Sequence, residues 1–329
     1  MSKMKKTEKP KIAFYWAASC GGCEIAVLDI NEKILDVVAK ADIVFWPVAM
    51  DIKYKDVEAF PEKHIDVCFF NGAIRTEEQE HMAKLLRRKA KTLIAFGSCA
   101  HQGGIPGLAN IADKEQVFER AYLQTPSTKN SQSVTPKISI QVKEGKLTLP
   151  EFYDTVKTLG QIVEVDYYVP GCPPPVDLIL KAFEAIAENE LPPKGSVLAP
   201  EKSVCDECPR KKEEKRISRI YRVHEVTPEP EKCLLEQGIL CMGPATRGGC
   251  GAKCIEANMP CTGCGGPCPN ATEQGSAMIS ALSSILEANG EKEETGNPEK
   301  LIAQIKDPLG SFYRYCLPAS LIKRRVMKK

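Results

Sequence analysis

The sequence has no uninterrupted apolar stretch that approaches the ~18 residues typical of a membrane-spanning helix. Its first residues lack the apolar core and small-residue cleavage site of a secretory signal, and no twin-arginine signal is present. The formal net charge is only +2, whereas a general nucleic-acid-binding domain is expected to be strongly basic. We therefore expect a cytoplasmic protein with no membrane span and no nucleic-acid partner.

Motifs of several enzyme classes are also missing. The glycine-rich stretch "AHQGGIPG" (100–107) has neither the GxxxxGK(S/T) nor the GxGxxG pattern of phosphate-binding loops. Nothing resembles a serine or cysteine hydrolase triad, and no pair of carboxylates is placed for acid–base work. The sequence therefore predicts no catalytic residue within this chain.

Cysteine, by contrast, is abundant. The chain has fifteen cysteines, and nine of them fall between residues 205 and 268. Stable disulfides are rare in a reducing compartment, so this number of cysteines indicates metal binding.

The first part of the chain alternates strand-like and helix-like patterns, which predicts a doubly wound α/β domain with a mostly parallel sheet over residues 1–192. Residues 125–150 are polar and read as an excursion from this domain. Strands are predicted at 11–17, 42–48, 65–72, 91–100 and 161–169, and helices at 23–41, 77–90, 112–124, 152–160 and 176–191.

The character changes after residue 192, and we predict a second, irregular cysteine-rich domain over residues 193–329. The stretch "LPPKGSV" (191–197) reads as a linker, and residues 205–270 show little sustained periodicity. We expect this stretch to bury little core and to need metal to fix its conformation. Residues 286–300 read as a charged surface loop.

Four cysteines follow predicted parallel strands, whose carboxyl ends hold the ligand sites of doubly wound sheets. Three separate motifs, "SCGGCE", "GSCAHQGG" and "PGCPPP", should bring them to one sheet edge. Only one CxxC is present among these three motifs, whereas zinc usually gathers local pairs, so we favour a 4Fe–4S cluster over zinc or free thiols. The predicted ligands are Cys20, Cys23, Cys99 and Cys172.

The nine later cysteines can fill two cubane clusters with one left over. A sequential split assigns Cys205, Cys208, Cys233 and Cys241 to one cluster and Cys250, Cys254, Cys261 and Cys264 to the other. Cys268 is then the spare cysteine, or it replaces Cys254. Two zinc ribbons built on CxxC pairs are the alternative, and a disulfide module is disfavoured in the cytosol.

Other polar groups have ordinary interpretations. Cys68 lies inside an apolar strand and Cys316 has no nearby partner, so both are predicted to be structural. The four histidines are predicted to be bystanders, although His101 follows Cys99 by two residues. Glu24 could move protons, but an acid that stabilises the first turn of a helix explains it equally well.

The motifs "SCGGCE", "GSCAHQGG", "PGCPPP" and "NMPCTGC", in this order, resemble those of the small subunit of nickel–iron hydrogenases. The variant resembles the cytoplasmic small subunits of methanogens. The excursion at 125–150 and the extended tail are more similar to the viologen-reducing, deazaflavin-independent type than to the deazaflavin-reducing type. The resemblance implies a flavodoxin-like first domain, with a proximal cluster that faces the nickel–iron large subunit.

The resemblance also implies a medial cluster on Cys250, Cys261 and Cys264, with Cys254 as the natural fourth ligand. A distal cluster is implied on Cys208, Cys233 and Cys241. Where membrane-bound and periplasmic relatives use a histidine, this chain has Cys205, and many relatives have a proline at the fourth medial position. These departures predict three 4Fe–4S clusters.

The implied function is electron transfer from hydrogen oxidation in the large subunit to a small iron–sulfur delta-type subunit linked to heterodisulfide reductase, as in methanogenesis. The chain alone should not activate hydrogen, because it lacks the paired CxxC motifs of the large subunit. The alternatives are the gamma subunit of a deazaflavin-reducing hydrogenase and a cytoplasmic zinc-binding interaction protein. A quinone-reductase subunit shares the first domain, but the crowded cysteines at 205–268 argue against it.

Overall fold

A computed structural model describes residues 9–188, 190–213, 216–286 and 298–323. Five parallel strands form its central sheet in the order β2-β1-β3-β5-β9. The first strand of the chain therefore lies inside the sheet, between the second and the third, as in flavodoxin-like doubly wound domains. The predicted α/β class and flavodoxin-like sheet are confirmed.

The strands and helices have the following bounds. The strands are β1 Lys11–Trp16, β2 Asp42–Phe45, β3 Ile65–Asn71, β4 Ile74–Thr76, β5 Ala90–Phe96, β6 Ser139–Val142, β7 Gly145–Thr148, β8 Phe152–Lys157 and β9 Tyr167–Val169. The helices are α1 Gly22–Leu28, α2 Ile34–Lys40, α3 Tyr54–Ala59, α4 Glu77–Lys89, α5 Ser98–Gln102, α6 Lys114–Glu119, α7 Val176–Ala187, α8 Lys253–Glu256, α9 Gln274–Ile285, α10 Pro298–Ile302 and α11 Pro308–Phe312.

Both faces of the sheet are covered by helices, which explains why the strands read as near-continuous apolar runs. One face carries Tyr15 and Phe70 and packs against Leu86 of α4. The opposite face carries Phe14 and Phe69 and packs against α1 and α7. The sheet is thus a rigid scaffold, and the loops that leave the carboxyl ends of its strands are fixed at their roots.

The helix predicted at 152–160 is wrong. Residues 152–157 form β8, which pairs antiparallel with the short β4. Its aromatic and β-branched residues suit a strand, and Val156 is buried beside Ala73 and Cys99. The local sequence therefore favours a strand, but its partner strand β4 is distant in sequence and could not be recognised.

Several predicted boundaries also differ. The helix predicted at 23–41 is interrupted at Asn31, which has a left-handed φ of 55° that asparagine tolerates better than most residues. Of the strand predicted at 161–169, only Tyr167–Val169 form a strand, which is β9. The prediction begins too early, because Leu159–Gln161 form a short 3-10 helix. The predicted linker is bonded to the sheet, since the Tyr168 amide of β9 donates to the Ser196 carbonyl at 3.2 Å.

The expectation that residues 205–270 bury little core is wrong. Ile217, Leu234, Ile239 and Ile255 are buried in one cluster with residues of α9 and α11. The later helices supply the apolar surface that the cysteine-rich segment lacks on its own. The loop predicted at 286–300 lies largely outside the described residues.

The end of the described chain returns to the first half of the molecule. The Gly104 amide donates to the Tyr315 carbonyl at 2.9 Å, and the Gln161 side chain donates to the Pro318 carbonyl at 2.8 Å. Pro318 also fills the space where a side chain at Gly103 would lie. The division at residues 192 and 193 stays a prediction, and these contacts join its two parts.

Asp166, which directly precedes β9, connects three segments of the chain. Its carboxylate accepts from the Leu93 amide at 2.8 Å and from Arg87 at 2.6 Å, and it pairs with Lys194 at 2.6 Å. Burial opposes ionisation, but the bonds from Lys194, Arg87 and Leu93 outweigh it and lower the pKa of Asp166. A lowered pKa means that this stabilisation is complete above the unfolded-state pKa of about 3.9 and is lost as the pH falls below it.

Replacing Asp166 with asparagine is therefore expected to cost about 1.5–3 kcal/mol of stability at neutral pH, because charge-assisted bonds are lost. The difference from the parent protein should shrink below about pH 4. Thermal unfolding across pH measures both effects, with Glu229→Gln in the exposed pair with Lys232 as a near-neutral control. An Asp166→Asn protein as stable as its parent at neutral pH would contradict this account.

Among the residues that the structure describes, no helix is long and apolar enough to cross a membrane.

Candidate metal centres

The proximal group consists of Cys20, Cys23, Cys99 and Cys172. The first two follow β1, Cys99 lies on α5 just after β5, and Cys172 follows β9. All four thus lie at the carboxyl edge of the sheet, as predicted. The four thiols are close enough to interact electrostatically. Burial is the main cause that raises the pKa of Cys99 to about 12, and the charges of Cys172 and Cys20 add to it.

Glycines let the backbone approach these thiols. A Cβ atom on Gly97 would lie 2.4 Å from the sulfur of Cys23, and one on Gly104 would lie 2.4 Å from the sulfur of Cys99. The Gly22 amide donates to the Cys20 sulfur at 3.4 Å. Side chains at these positions would occupy the space that the proximal group needs.

The distal group consists of Cys205, Cys208, Cys233 and Cys241, and all four line one cavity of about 220 Å³. Burial raises the pKa of Cys205 to about 12; Lys212 opposes this shift, and the charges of the other three cysteines add to it. The four cysteines of the sequential split are therefore brought together.

The medial group consists of Cys250, Cys254, Cys261 and Cys264, and these line a second cavity of about 290 Å³. Burial raises the pKa of Cys264 to about 12, and the charges of Cys250 and Cys254 contribute to this shift. Cys268 is not among the residues that line this cavity. Its thiol donates instead to the Pro244 carbonyl at 3.4 Å.

A shared cavity and hydrogen bonds connect the three groups. Cys172 of the proximal group lines the medial cavity together with the four medial cysteines. The Ser98 hydroxyl, next to Cys99, donates to the Cys264 carbonyl at 2.6 Å. The Met242 amide, next to Cys241 of the distal group, donates to the Cys261 carbonyl of the medial group at 2.9 Å. The groups therefore follow one another in the order proximal, medial, distal.

Sequence reasoning missed Arg210, a buried arginine that lines the distal cavity. Its guanidinium donates to the carbonyls of Glu229, Lys232 and Ile255 and to the side chain of Asn258. Arg210 thus ties the loops of the distal group to α8, which carries Cys254. A lone arginine in an irregular segment gives no sequence signal for this role.

Glu24 lies beside the proximal group and is only 4% exposed. It accepts from the indole of Trp46 and from the Asn71 side chain, and burial raises its pKa despite these bonds. His101 is half-buried and packs against Tyr168, and desolvation together with the charge of Arg247 lowers its pKa to about 4. Its imidazole is therefore neutral near pH 7.

The two cysteines predicted to be structural are both buried. Cys68 is fully enclosed within β3, and Cys316 donates to the Phe312 carbonyl at 3.7 Å. Within the described ranges, no group of three or more His, Cys, Asp or Glu side chains is arranged to hold one metal ion.

The three groups fit iron–sulfur clusters in their chemistry. Burial and the charges of neighbouring cysteines raise the pKa values of these thiols, which disfavours free thiolates. A bound metal cation would lower these pKa values and favour the thiolate form. The medial and distal cavities are larger than one ion needs, and the Gly22 amide donates to the Cys20 sulfur, as amides do around cluster ligands.

Comparison with known proteins identifies the class to which this fold belongs. The family model described as "NADH ubiquinone oxidoreductase, 20 Kd subunit" matches residues 20–186, which carry the whole proximal group. A solved [NiFeSe] hydrogenase chain from Desulfovibrio vulgaris Hildenborough has the same fold, with a TM-score of 0.50 and 18% identity over 80% of this chain and 96% of that one. The fold is that of hydrogenase small subunits.

Two curated relatives match this chain over almost its full length. The iron–sulfur subunit of the F420-non-reducing hydrogenase of Archaeoglobus profundus is 43% identical over 97% of this chain and 99% of its own length. An F420-non-reducing hydrogenase subunit of Methanothermobacter thermautotrophicus is 40% identical over 98% of this chain and 99% of its own length. The chain belongs to this family, the electron-transfer small subunits of F420-non-reducing hydrogenases. It is thus a component of an oxidoreductase complex.

Proposed function

We propose that this chain holds three 4Fe–4S clusters on its proximal, medial and distal groups and conducts electrons from a nickel–iron large subunit toward a partner linked to heterodisulfide reductase, in the cytoplasm. When bound, the clusters supply one-electron redox centres. The chain supplies the ligands, the spacing between them and the exclusion of water.

The observation that supports this proposal is the succession of the three cysteine groups. Cys172 of the proximal group lines the medial cavity. The Met242 amide, next to Cys241 of the distal group, donates to the carbonyl of Cys261 in the medial group at 2.9 Å. Clusters held by these groups would therefore lie next to one another in series, and backbone donors around them would tune each centre.

The entry side is the surface around Cys20, the one exposed cysteine of the proximal group. Large apolar side chains, Trp16, Ile25, Leu28 and Val48, are between 40% and 58% exposed near the carboxyl ends of β1 and β2. An apolar surface of this kind is typical of a protein interface. It supports a large subunit that covers the proximal group.

The exit side is the distal group, where Lys212 lies close enough to oppose the raised pKa of Cys205. The curated relatives are named as not reducing F420, which favours the heterodisulfide-linked acceptor over a deazaflavin. The deazaflavin-reducing alternative is excluded if the purified complex does not reduce deazaflavin with hydrogen.

The test is the metal content of the complex purified without oxygen. Three cubanes predict about twelve iron and as many acid-labile sulfide per chain, beyond those of partner subunits. Two or three zinc with little iron would overturn the proposal and leave a zinc-binding protein. A purified complex that contains this iron but no nickel subunit would support the three clusters and contradict the proposed electron donor.

A further inference from the structure

Arg210 lines the distal cavity and is only 7% exposed, although its guanidinium carries a permanent positive charge. A charge buried in this way is costly unless its N–H groups find acceptors. The hydrogen-bond partners of Arg210 among the described residues are all neutral, namely three backbone carbonyls and one side-chain amide. These partners satisfy donors, but they do not neutralise the charge.

A guanidinium has five N–H donors, and the described residues use four of them on Arg210. The Nη1 atom donates to the carbonyls of Glu229 and Lys232, at 2.7 and 3.0 Å. The Nη2 atom donates to the Ile255 carbonyl and to the side-chain oxygen of Asn258. The fifth donor, at Nε, is buried and has no hydrogen-bond partner within the described ranges. One donor is therefore left over on a side chain that lines the distal cavity.

The four bonds hold the plane of the guanidinium from two sides. Lys232, one residue before Cys233, anchors one terminal nitrogen, and Ile255 in α8 anchors the other. Cys233 and Ile255 line the distal cavity as well. Because rotation of the plane would break these bonds, the Nε–H group keeps one direction. Arg210 therefore needs no rearrangement to donate.

The distal cavity offers sulfur as the main acceptor. Its four cysteines are accompanied by mostly apolar residues and by one carboxylate, that of Glu236, which accepts from the Glu213 amide at 2.7 Å. The potential of an iron–sulfur cluster depends on hydrogen bonds to its sulfurs and on the charge around it. A buried cation with one N–H group to spare can supply both.

A second cation lines the same cavity and differs from Arg210 in exposure. Lys212 is exposed, and its charge opposes the effect of burial on the pKa of Cys205. The charge of an exposed lysine is screened by salt, whereas a buried charge is screened much less. Lys212 is therefore a matched control for Arg210.

We infer that Arg210 donates its Nε–H group to a sulfur of the distal cluster and raises the reduction potential of that cluster. This inference rests on the proposed function, which supplies the cluster. Reduction adds one negative charge, and a buried cation and a charge-assisted hydrogen bond both stabilise it. The electron comes from the medial cluster and leaves to the acceptor, so Arg210 itself is neither oxidised nor reduced. Arg210 thus stabilises an electron at the exit side of the chain.

The test measures the midpoint potential of the distal cluster by redox titration with electron paramagnetic resonance, in the complex purified without oxygen. Arg210→Gln removes the charge and the Nε donor. At a fixed potential, its ratio of reduced to oxidised distal cluster should fall roughly tenfold, which is a shift of about −59 mV for one electron. Arg210→Lys keeps the charge and should recover part of this shift. An unchanged potential in Arg210→Gln would overturn the inference.

Two controls separate this effect from others. Lys212→Gln should shift the potential less than Arg210→Gln, and its shift should vanish at about 1 M salt, whereas that of Arg210→Gln should persist. Asn258→Gly removes one acceptor of Nη2, and glycine suits the left-handed φ of 60° at this position. This variant should keep the parent potential. Equal shifts in Asn258→Gly and Arg210→Gln would assign the effect to loosened loops and overturn the inference.

A measurement on the parent complex decides the matter if the Arg210 variants lose the distal cluster. Arg210 is the one arginine among the described residues that line the distal cavity. Arginine labelled with ¹⁵N at Nε should therefore give a nitrogen coupling in the pulsed resonance spectrum of the reduced distal cluster. A spectrum without this coupling would overturn the inference. A parent complex without a distal cluster signal, and with fewer than about twelve irons per chain, would show instead that the proposed function fails.

Discussion

Replacing Cys254 with serine is expected to change the medial cluster, and replacing Cys268 with serine is expected to leave all three clusters intact. Of the roughly twelve irons per chain, Cys254→Ser should lose between about one and four, depending on whether a three-iron cluster survives. Hydrogen-dependent electron delivery to the distal end should fall by about tenfold or more. Both effects are large because the medial group adjoins both of the others: Cys172 lines its cavity, and Cys241 lines a further cavity together with Cys254.

The reason lies in the positions of the two thiols. Cys254 lines the medial cavity with Cys250, Cys261 and Cys264, and its charge contributes to the raised pKa of Cys264. Cys268 is instead engaged with the Pro244 carbonyl. Its surroundings are charged, since Arg247 lowers its pKa and Asp206 raises it, while burial is the largest cause of the net increase.

The measurement is iron content together with electron paramagnetic resonance of the reduced complex, for both variants and for Cys264→Ser as a positive control. Parent-like spectra and iron for Cys254→Ser, with loss of the medial signal in Cys268→Ser, would reverse the assignment. Loss in both variants would show that both cysteines are required and that the medial group has more than four sulfur partners.

The proximal group could be predicted from the sequence because it depends on one topological rule. Its cysteines follow β1, β5 and β9, and the carboxyl ends of parallel strands meet at one edge. The later groups could be listed only as a sequential split, because no regular element fixes a cysteine-rich segment in advance. In the structure each set of four lines one cavity, and Cys172 of the proximal group also lines the medial one. The assignment of the ligands stays a prediction.

What the sequence could not provide depends on contacts between distant residues. Arg210 joins Glu229, Ile255 and Asn258, and nothing local identifies it. β8 needs β4 as its partner strand, and the core of the cysteine-rich segment needs helices that come later in the chain. The sequence predicts only a polar excursion at residues 125–150, whereas the structure pairs β6 with β7 there and leaves apolar side chains of both strands exposed.

Replacing Gly97 with alanine is expected to remove the proximal cluster, and with it electron entry from the large subunit. The new Cβ would lie 2.4 Å from the sulfur of Cys23, a distance that no real Cβ contact tolerates. Cys23 cannot easily move away, because it is buried in the first turn of α1, which packs against the sheet. About four irons per chain should be lost, and the remaining two groups should keep theirs.

Backbone strain must be separated from this clash, because Gly97 has a left-handed φ of +85°. Gly195 provides the matched control, since its φ is +89° and no atom lies within 4 Å of its added Cβ. Both variants place alanine at a positive φ, which costs about 1–3 kcal/mol, but only Gly97→Ala crowds the sulfur of Cys23. Iron content and hydrogen-dependent reduction of the distal cluster should therefore fall in Gly97→Ala and persist in Gly195→Ala. Equal losses in the two variants would assign the effect to strain, and a Gly97→Ala protein with full iron would show that Cys23 is not held where the sheet places it.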